Sequence, residues 1–218
     1  MAKPKRSRSI NMLFIGNSFT QRNNVPGLLA EMAADRDLCV NHQLISAGGA
    51  SLRTHWNSGL AAKAIATGEY NYVVLQEQST LPVKNAARMA ENVRLFDEPI
   101  KRADSKTVLY MTWARQHMPE TQQAIADAYY TIGEELGAIV VPVGVAWQNF
   151  LSKHDQPLLY DRDQSHPTLA GSYLAACVFL AALLKANPVG IESGPAGLDR
   201  HDRTALQCAA WKQFGTQS

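Results

Sequence analysis

Three short segments carry residue types that together do acyl-transfer chemistry: Gly16-Asn17-Ser18-Phe19, Ala47-Gly48-Gly49-Ala50-Ser51 and Asp163-Gln164-Ser165-His166-Pro167. Ser18 follows the apolar run Met12 to Ile15, which reads as a buried parallel strand ending in a tight turn, so its hydroxyl is expected at a strand's carboxyl end. A serine hydroxyl is a weak nucleophile at neutral pH and needs a base to take its proton and return it to the leaving group. His166 suits that exchange. Asp163, three residues earlier, is close enough to hold one ring nitrogen while the other faces outward, which fixes the tautomer and stabilises the imidazolium formed during attack. Gly48 and Gly49 follow the stretch Val40 to Ser46, and glycine there lets a backbone N–H point into the space above Ser18. Such a preorganised donor to a developing oxyanion contributes about 3–4 kcal/mol to transition-state stabilisation.

Each segment alone also has a plainer reading. Serine after a strand is most often a turn or cap residue. Asp163 to His166 fits a turn closed by an aspartate, with Pro167 opening a helix. The glycine pair fits a tight connection. Three segments in one chain, each at the expected end of a strand or start of a helix, favour the catalytic reading.

To bring them together the chain needs a sheet with its carboxyl ends aligned. Apolar strand candidates alternate with helical patterns, without internal repeats, which predicts a parallel sheet. Strands are expected at Asn11 to Ile15, Cys39 to Ile45, Tyr72 to Leu75, Thr107 to Met111 and Ala138 to Val143. Helices are expected over Pro26 to Arg36, Leu52 to Thr67, Ala86 to Arg102, Glu120 to Leu136, Val145 to Leu151, Thr168 to Lys185 and Asp202 to Phe214. This layout sets Ser18, Gly49 and Gln78 after the first, second and third strands, where open α/β sheets bind ligands. His166 and Asp163 precede the last long helix, which must then pack beside the first strand. An α/β-hydrolase elbow is disfavoured, because it needs GxSxG and Gly16 to Thr20 ends in threonine.

These residues resemble the SGNH (GDSL) hydrolases, serine esterases and lipases on a flavodoxin-like sheet, over most of the chain. Gly16, Asn17 and Ser18 match the first block, with Asn17 in place of its aspartate. Gly49 matches the second-block glycine, since glycine, any residue, serine continues through Ala50 and Ser51. Asp163 and His166 match the final DxxH. The third block departs: where the family has GxND, this chain has Leu75-Gln76-Glu77-Gln78-Ser79. Counting from the strand's last apolar residue places Gln78 in the asparagine's position, with Gln76 as the alternative; some sugar-acetyl esterases of the superfamily also use glutamine here. The resemblance implies a three-layer α/β/α sandwich with a central five-stranded parallel sheet. It also implies a Ser18, His166, Asp163 triad and an oxyanion hole from the Ser18 and Gly49 N–H groups and Gln78.

Composition agrees with a compact enzyme. A chain of 218 residues, 46% hydrophobic and 18% charged, can bury one full core, so residues 10–218 are expected to form one domain. Lys3, Lys5, Arg6 and Arg8 lie in an acid-free N-terminal segment, residues 1–9, expected to be a disordered tail; with these four set aside, 17 basic residues face 19 acidic ones. The body therefore carries no basic nucleic-acid footprint. No secretion signal is evident at the N-terminus, and the run after Tyr173 is too short for a membrane span, so a cytoplasmic location away from membranes is expected. Cys39, Cys177 and Cys208, widely spaced among apolar residues, suit reduced, buried thiols. His42, His117, His154 and His201 lie in polar stretches and read as surface residues, while His55 either packs a helix or approaches the site. No cofactor or metal is called for.

The substrate is expected to be a small-molecule ester. Trp113, directly after the fourth strand, would wall the pocket, stack on a sugar ring or simply fill the core; Arg115 would meet a carboxylate or phosphate. No lid rich in apolar residues is evident, which favours small acyl groups over lipase action. The resemblance to sugar-acetyl esterases favours an acetyl ester of a carbohydrate-like alcohol, with short-chain esters or thioesters as alternatives. Three other classes stay open. A flavin- or nucleotide-binding module is one, although Gly16 to Arg22 lacks a phosphate-loop pattern. A metal-dependent phosphohydrolase would use Asp161, Asp163 and His166. A non-catalytic glycan-binding module is the third.

Overall fold

The computed structural model describes residues 9–214; the expected basic tail lies, up to residue 8, outside them. The chain runs β1 (Ile10–Gly16), α1 (Ser18–Gln21), α2 (Val25–Ala34), β2 (Val40–Ser46), α3 (Leu52–Ser58), α4 (Leu60–Thr67), β3 (Tyr72–Leu75), α5 (Leu81–Lys84), α6 (Ala86–Arg102) and β4 (Lys106–Tyr110). It continues through α7 (Gln122–Leu136), β5 (Ile139–Val141), α8 (Val143–Leu151), α9 (Leu169–Leu184) and α10 (Arg200–Trp211). The five strands form one all-parallel sheet in the order β2-β1-β3-β4-β5.

The near-continuous apolar runs of the strands follow from burial on both sheet faces, with successive side chains pointing opposite ways. In β1, Met12 and Phe14 join the core that contains α2, α8, α9 and α10. Leu13 and Ile15 join the opposite core with α3, α4, α6 and α7. Two helical layers thus sandwich the sheet. Helix α9 is apolar on every side because it has no solvent face: it lies against α2, α8, α10 and β5. Phe179 on α9 meets Phe14 of β1 at 5.7 Å between ring centroids and Tyr110 of β4 at 4.9 Å. The last long helix therefore packs beside the first strand, which carries the loop before it to the Ser18 turn. Among the described residues no helix is long and apolar enough to cross a membrane.

Three differences from the expected elements have local causes. The single helix expected over Leu52 to Thr67 breaks at Gly59, whose φ is +73°. The fifth strand stops at Val141, because Pro142 has no N–H for the ladder and Val143 already begins α8. Helices α1 and α5, four residues each, are too short to show a period in sequence. Cys177 is buried as expected, whereas Cys39 is exposed and Cys208 half-buried; all three are free thiols.

Candidate active site

Ser18 is the first residue of α1, so its N–H is one of the donors a helix start leaves without an intrahelical acceptor. Asn17 caps that turn: its Oδ1 accepts from the Phe19 N–H at 3.1 Å, and its Nδ2 donates to the Ala50 carbonyl at 3.0 Å. One side chain thus shapes the serine turn and ties it to the glycine turn. Beneath them lies Gln76, 1% exposed, whose Oε1 accepts from the Asn17 N–H at 2.9 Å and the Thr20 hydroxyl at 3.0 Å. A Cβ on Gly16 would stand 2.7 Å from that same oxygen, so only glycine lets the strand end pass so close.

Ser18 Oγ and His166 Nε2 are 2.8 Å apart. His166 Nδ1 is hydrogen bonded to Asp163 Oδ2, while Asp163 Oδ1 accepts the backbone N–H groups of Ser165 (3.0 Å) and His166 (2.9 Å). Burial works against the Asp163 charge, but these N–H groups and the His166 ring outweigh it and bring its pKa down from the ordinary 3.8 to about 2. The histidine loop is closed by Asp161 N–H to the His166 carbonyl, 2.9 Å, with Gln164 in the left-handed region at φ +59°. Trp113 braces it from below, donating Nε1–H to the Ser165 carbonyl at 3.0 Å. Phe19 packs its ring edge against His166, 5.3 Å between centroids.

Gly49 lies in the left-handed region at φ +67° with nothing within 4 Å of where a Cβ would stand, so glycine is there for its backbone and not for space. It lines a cavity of about 200 Å³ together with Ser18, Gln78, Arg115 and His166. The Gln78 amide oxygen accepts from Thr80 N–H, Thr80 Oγ1–H and Leu81 N–H at 2.9, 2.9 and 3.1 Å. That leaves the NH₂ as the end of the carboxamide free to donate. Ser18, His166, Asp163, Gly49 and Gln78 therefore converge on one pocket, and Gln76 is buried under it.

Glu77 escaped the sequence reading. It is 1% exposed; Oε1 accepts from Leu52 N–H at 3.0 Å and Gln78 N–H at 2.7 Å, and Oε2 from Asn92 Nδ2 at 2.8 Å. Burial pushes its pKa up, against the opposing pull of the Asn92, Gln78 and Leu52 hydrogen bonds and of Arg53. One carboxylate thus joins the start of α3, just after Gly49, to the Gln78 turn. The signal was present as an acid two residues beyond the end of a buried apolar strand, Tyr72–Leu75, a position where a carboxylate must find donors.

Trp113 is 2% exposed, stacked between Phe19 (4.9 Å) and Trp147 (3.9 Å). Both ring faces are covered, so no sugar ring can stack on it; the residue also lines an adjoining cavity. His55 is buried and its Nε2 meets the Gly16 carbonyl at 2.7 Å. The Asp161 carboxylate is paired with Arg22 at 2.8 Å. Among the described residues no three His, Cys, Asp or Glu side chains converge to hold a metal ion.

No protein-family model matches the chain, and no curated protein matches it in sequence. Solved structures do. A DUF4886 family protein from Bacteroides uniformis is 22% identical, with 94% of each chain covered and a TM-score of 0.78. A candidate SGNH hydrolase from Slackia heliotrinireducens is 26% identical over 81% of this chain and 100% of its own, TM-score 0.70. The acetyl xylan esterase AlAXEase is 15% identical over 80% and 100% of the two chains, TM-score 0.61.

Proposed function

Since the chain belongs by its fold to the SGNH hydrolase superfamily, we propose that it hydrolyses carboxylic esters of small molecules through an acyl-enzyme on Ser18. The observation that carries this is the unbroken line of hydrogen bonds from Ser18 Oγ through His166 to Asp163, set in one pocket that Gly49 and Gln78 also line.

In the first half-reaction Ser18 Oγ bonds to the ester carbonyl carbon as its proton passes to His166 Nε2. Negative charge collects on the carbonyl oxygen, where the N–H groups of Ser18 and Gly49 and the Gln78 amide receive it. Asp163, ionised down to about pH 2, holds Nδ1–H and offsets the imidazolium charge. The carbon–alkoxy bond then breaks, His166 returns the proton to the departing alcohol, and Ser18 is left acylated. Water repeats the sequence: His166 takes its proton, its oxygen attacks the acyl carbon, and the Ser18 oxygen leaves with that proton as the acid is released.

For the substrate, an acetyl ester of a carbohydrate-like alcohol accords with the small volume above Ser18 and with the named activity of the acetyl xylan esterase that shares the fold. The covered faces of Trp113 remove sugar stacking as a reason for it. A second reading, a short-chain acyl group longer than acetyl on the same triad, is favoured by an apolar cavity of about 300 Å³ beside the pocket. Turnover of acetylated sugars and 4-nitrophenyl esters of increasing chain length tests both. Ser18→Ala is expected to lower kcat about a million-fold in a protein that melts as the parent does; a folded, active Ser18→Ala enzyme would remove the nucleophile and the proposal.

A further inference from the structure

The adjoining cavity has walls that discriminate. Val83, Trp113, Ala114, Met118 and Ile125 make it predominantly apolar, and Val83 and Met118 are 40% and 41% exposed at its mouth. Ser79 and Arg115 line both this cavity and the pocket over Ser18, so the two spaces meet at that pair. No residue of the histidine loop lines the second cavity. The alkoxy oxygen of a bound ester must face His166 to collect its proton, so the arm that runs past Ser79, away from that loop, is the acyl arm.

An acyl subsite of purely apolar type would not need two cations. Arg115 and Lys84 both line it, no acidic side chain does, and among the described residues neither makes an ion pair. Arg115 is half-buried, and its guanidinium offers the planar fork that fits a carboxylate in two parallel hydrogen bonds. Among the described residues the Arg115 side chain makes no hydrogen bond or ion pair, and a carboxylate in the cavity would supply one.

Resting on the esterase reading above, we propose that the cavity is an acyl subsite for half-esters of dicarboxylic acids: short chains whose methylenes lie against Val83, Met118 and Ile125 and whose free carboxylate meets Arg115. Lys84, exposed at the rim, adds attraction during entry and no fixed contact.

The test compares kcat/KM for two esters of equal chain length, 4-nitrophenyl hexanoate and the mono-4-nitrophenyl ester of adipic acid, in the parent enzyme, Arg115→Gln and Arg115→Lys. The intrinsic reactivity of each ester cancels when its ratio is compared between variants. The half-ester is expected to be preferred about tenfold or more, as a charge-assisted hydrogen bond implies. Arg115→Gln should collapse that ratio, Arg115→Lys should keep part of it, and rising salt should shrink it in the parent. A ratio unmoved by Arg115→Gln, a parent preference for the neutral ester, or rejection of both esters while Ser18 still reacts with a fluorophosphonate would overturn the subsite and leave the esterase standing. Rejection of both esters with Ser18 unreactive would bring down the esterase reading itself.

Discussion

Two glutamines separated by one residue have opposite fates in this site, and their hydrogen bonds explain why. Gln76 spends its amide oxygen on the Asn17 N–H and the Thr20 hydroxyl under the serine turn, whereas Gln78 binds its own turn through oxygen alone. Gln78→Ala is therefore expected to lower kcat about a hundredfold with a smaller change in stability than Gln76→Ala, because the Thr80 and Leu81 donors it releases are only part-buried. Gln76→Ala should instead cost about 1–3 kcal/mol of stability, because it strands two buried donors; chemical denaturation beside steady-state kinetics separates the two. The sequence placed Gln78 by counting but could not tell which carboxamide end would be free. That depends on Thr80 and Leu81 folding back onto it. Asp163 makes a second prediction at this scale. Its folded pKa lies below its unfolded one, so its contribution to stability is present above the ordinary 3.8 and is lost as pH falls through about 2. Thermal melts between pH 5 and 2 should show a smaller pH dependence in Asp163→Asn than in the parent; equal slopes would mean that the carboxylate is not held as described.

At the scale of elements, the site is a set of turns at strand ends, and Glu77 is the joint between two of them. Its Oε1 receives both the first N–H of α3 and the Gln78 N–H, so the Gly49 and Gln78 donors keep their spacing through one buried carboxylate. Glu77→Gln preserves volume but offers one acceptor oxygen where three donors were met. It is expected to reduce kcat by about tenfold to a hundredfold with KM changed much less, the pattern of a lost transition-state contact. Glu77→Asp should recover part of the rate, and an unaltered kcat in Glu77→Gln would show the two turns to be held by other means. Strands were legible in the sequence as short apolar runs, and long helices because their apolar periods repeat over many residues, as in Ala86 to Arg102. Helix α1 was not, because its single turn is defined by the Asn17 cap and by Gln76, 55 residues beyond the turn's last residue, Gln21. Trp113 was legible as pocket-adjacent and no further: whether its faces are open depends on Phe19 and Trp147, which only the fold brings to it.

Across the whole molecule, Ser18 and His166, the nucleophile and base of the proposed mechanism, are 148 residues apart in sequence and 2.8 Å apart in space. Packing of α9 beside β1, through Phe179 on Phe14, is what delivers the histidine loop to the first strand. The proposed activation of Ser18 therefore requires the assembled sandwich and not the Gly16 to Phe19 segment alone. The most direct measurement is reaction of the purified protein with a fluorophosphonate, with the labelled residue located by mass spectrometry, in buffer and in denaturing urea. Labelling at Ser18 alone, lost in urea and in His166→Ala, is the predicted result. No labelling of the folded protein, or labelling that falls on another serine, would contradict an activated Ser18 and with it the catalytic account.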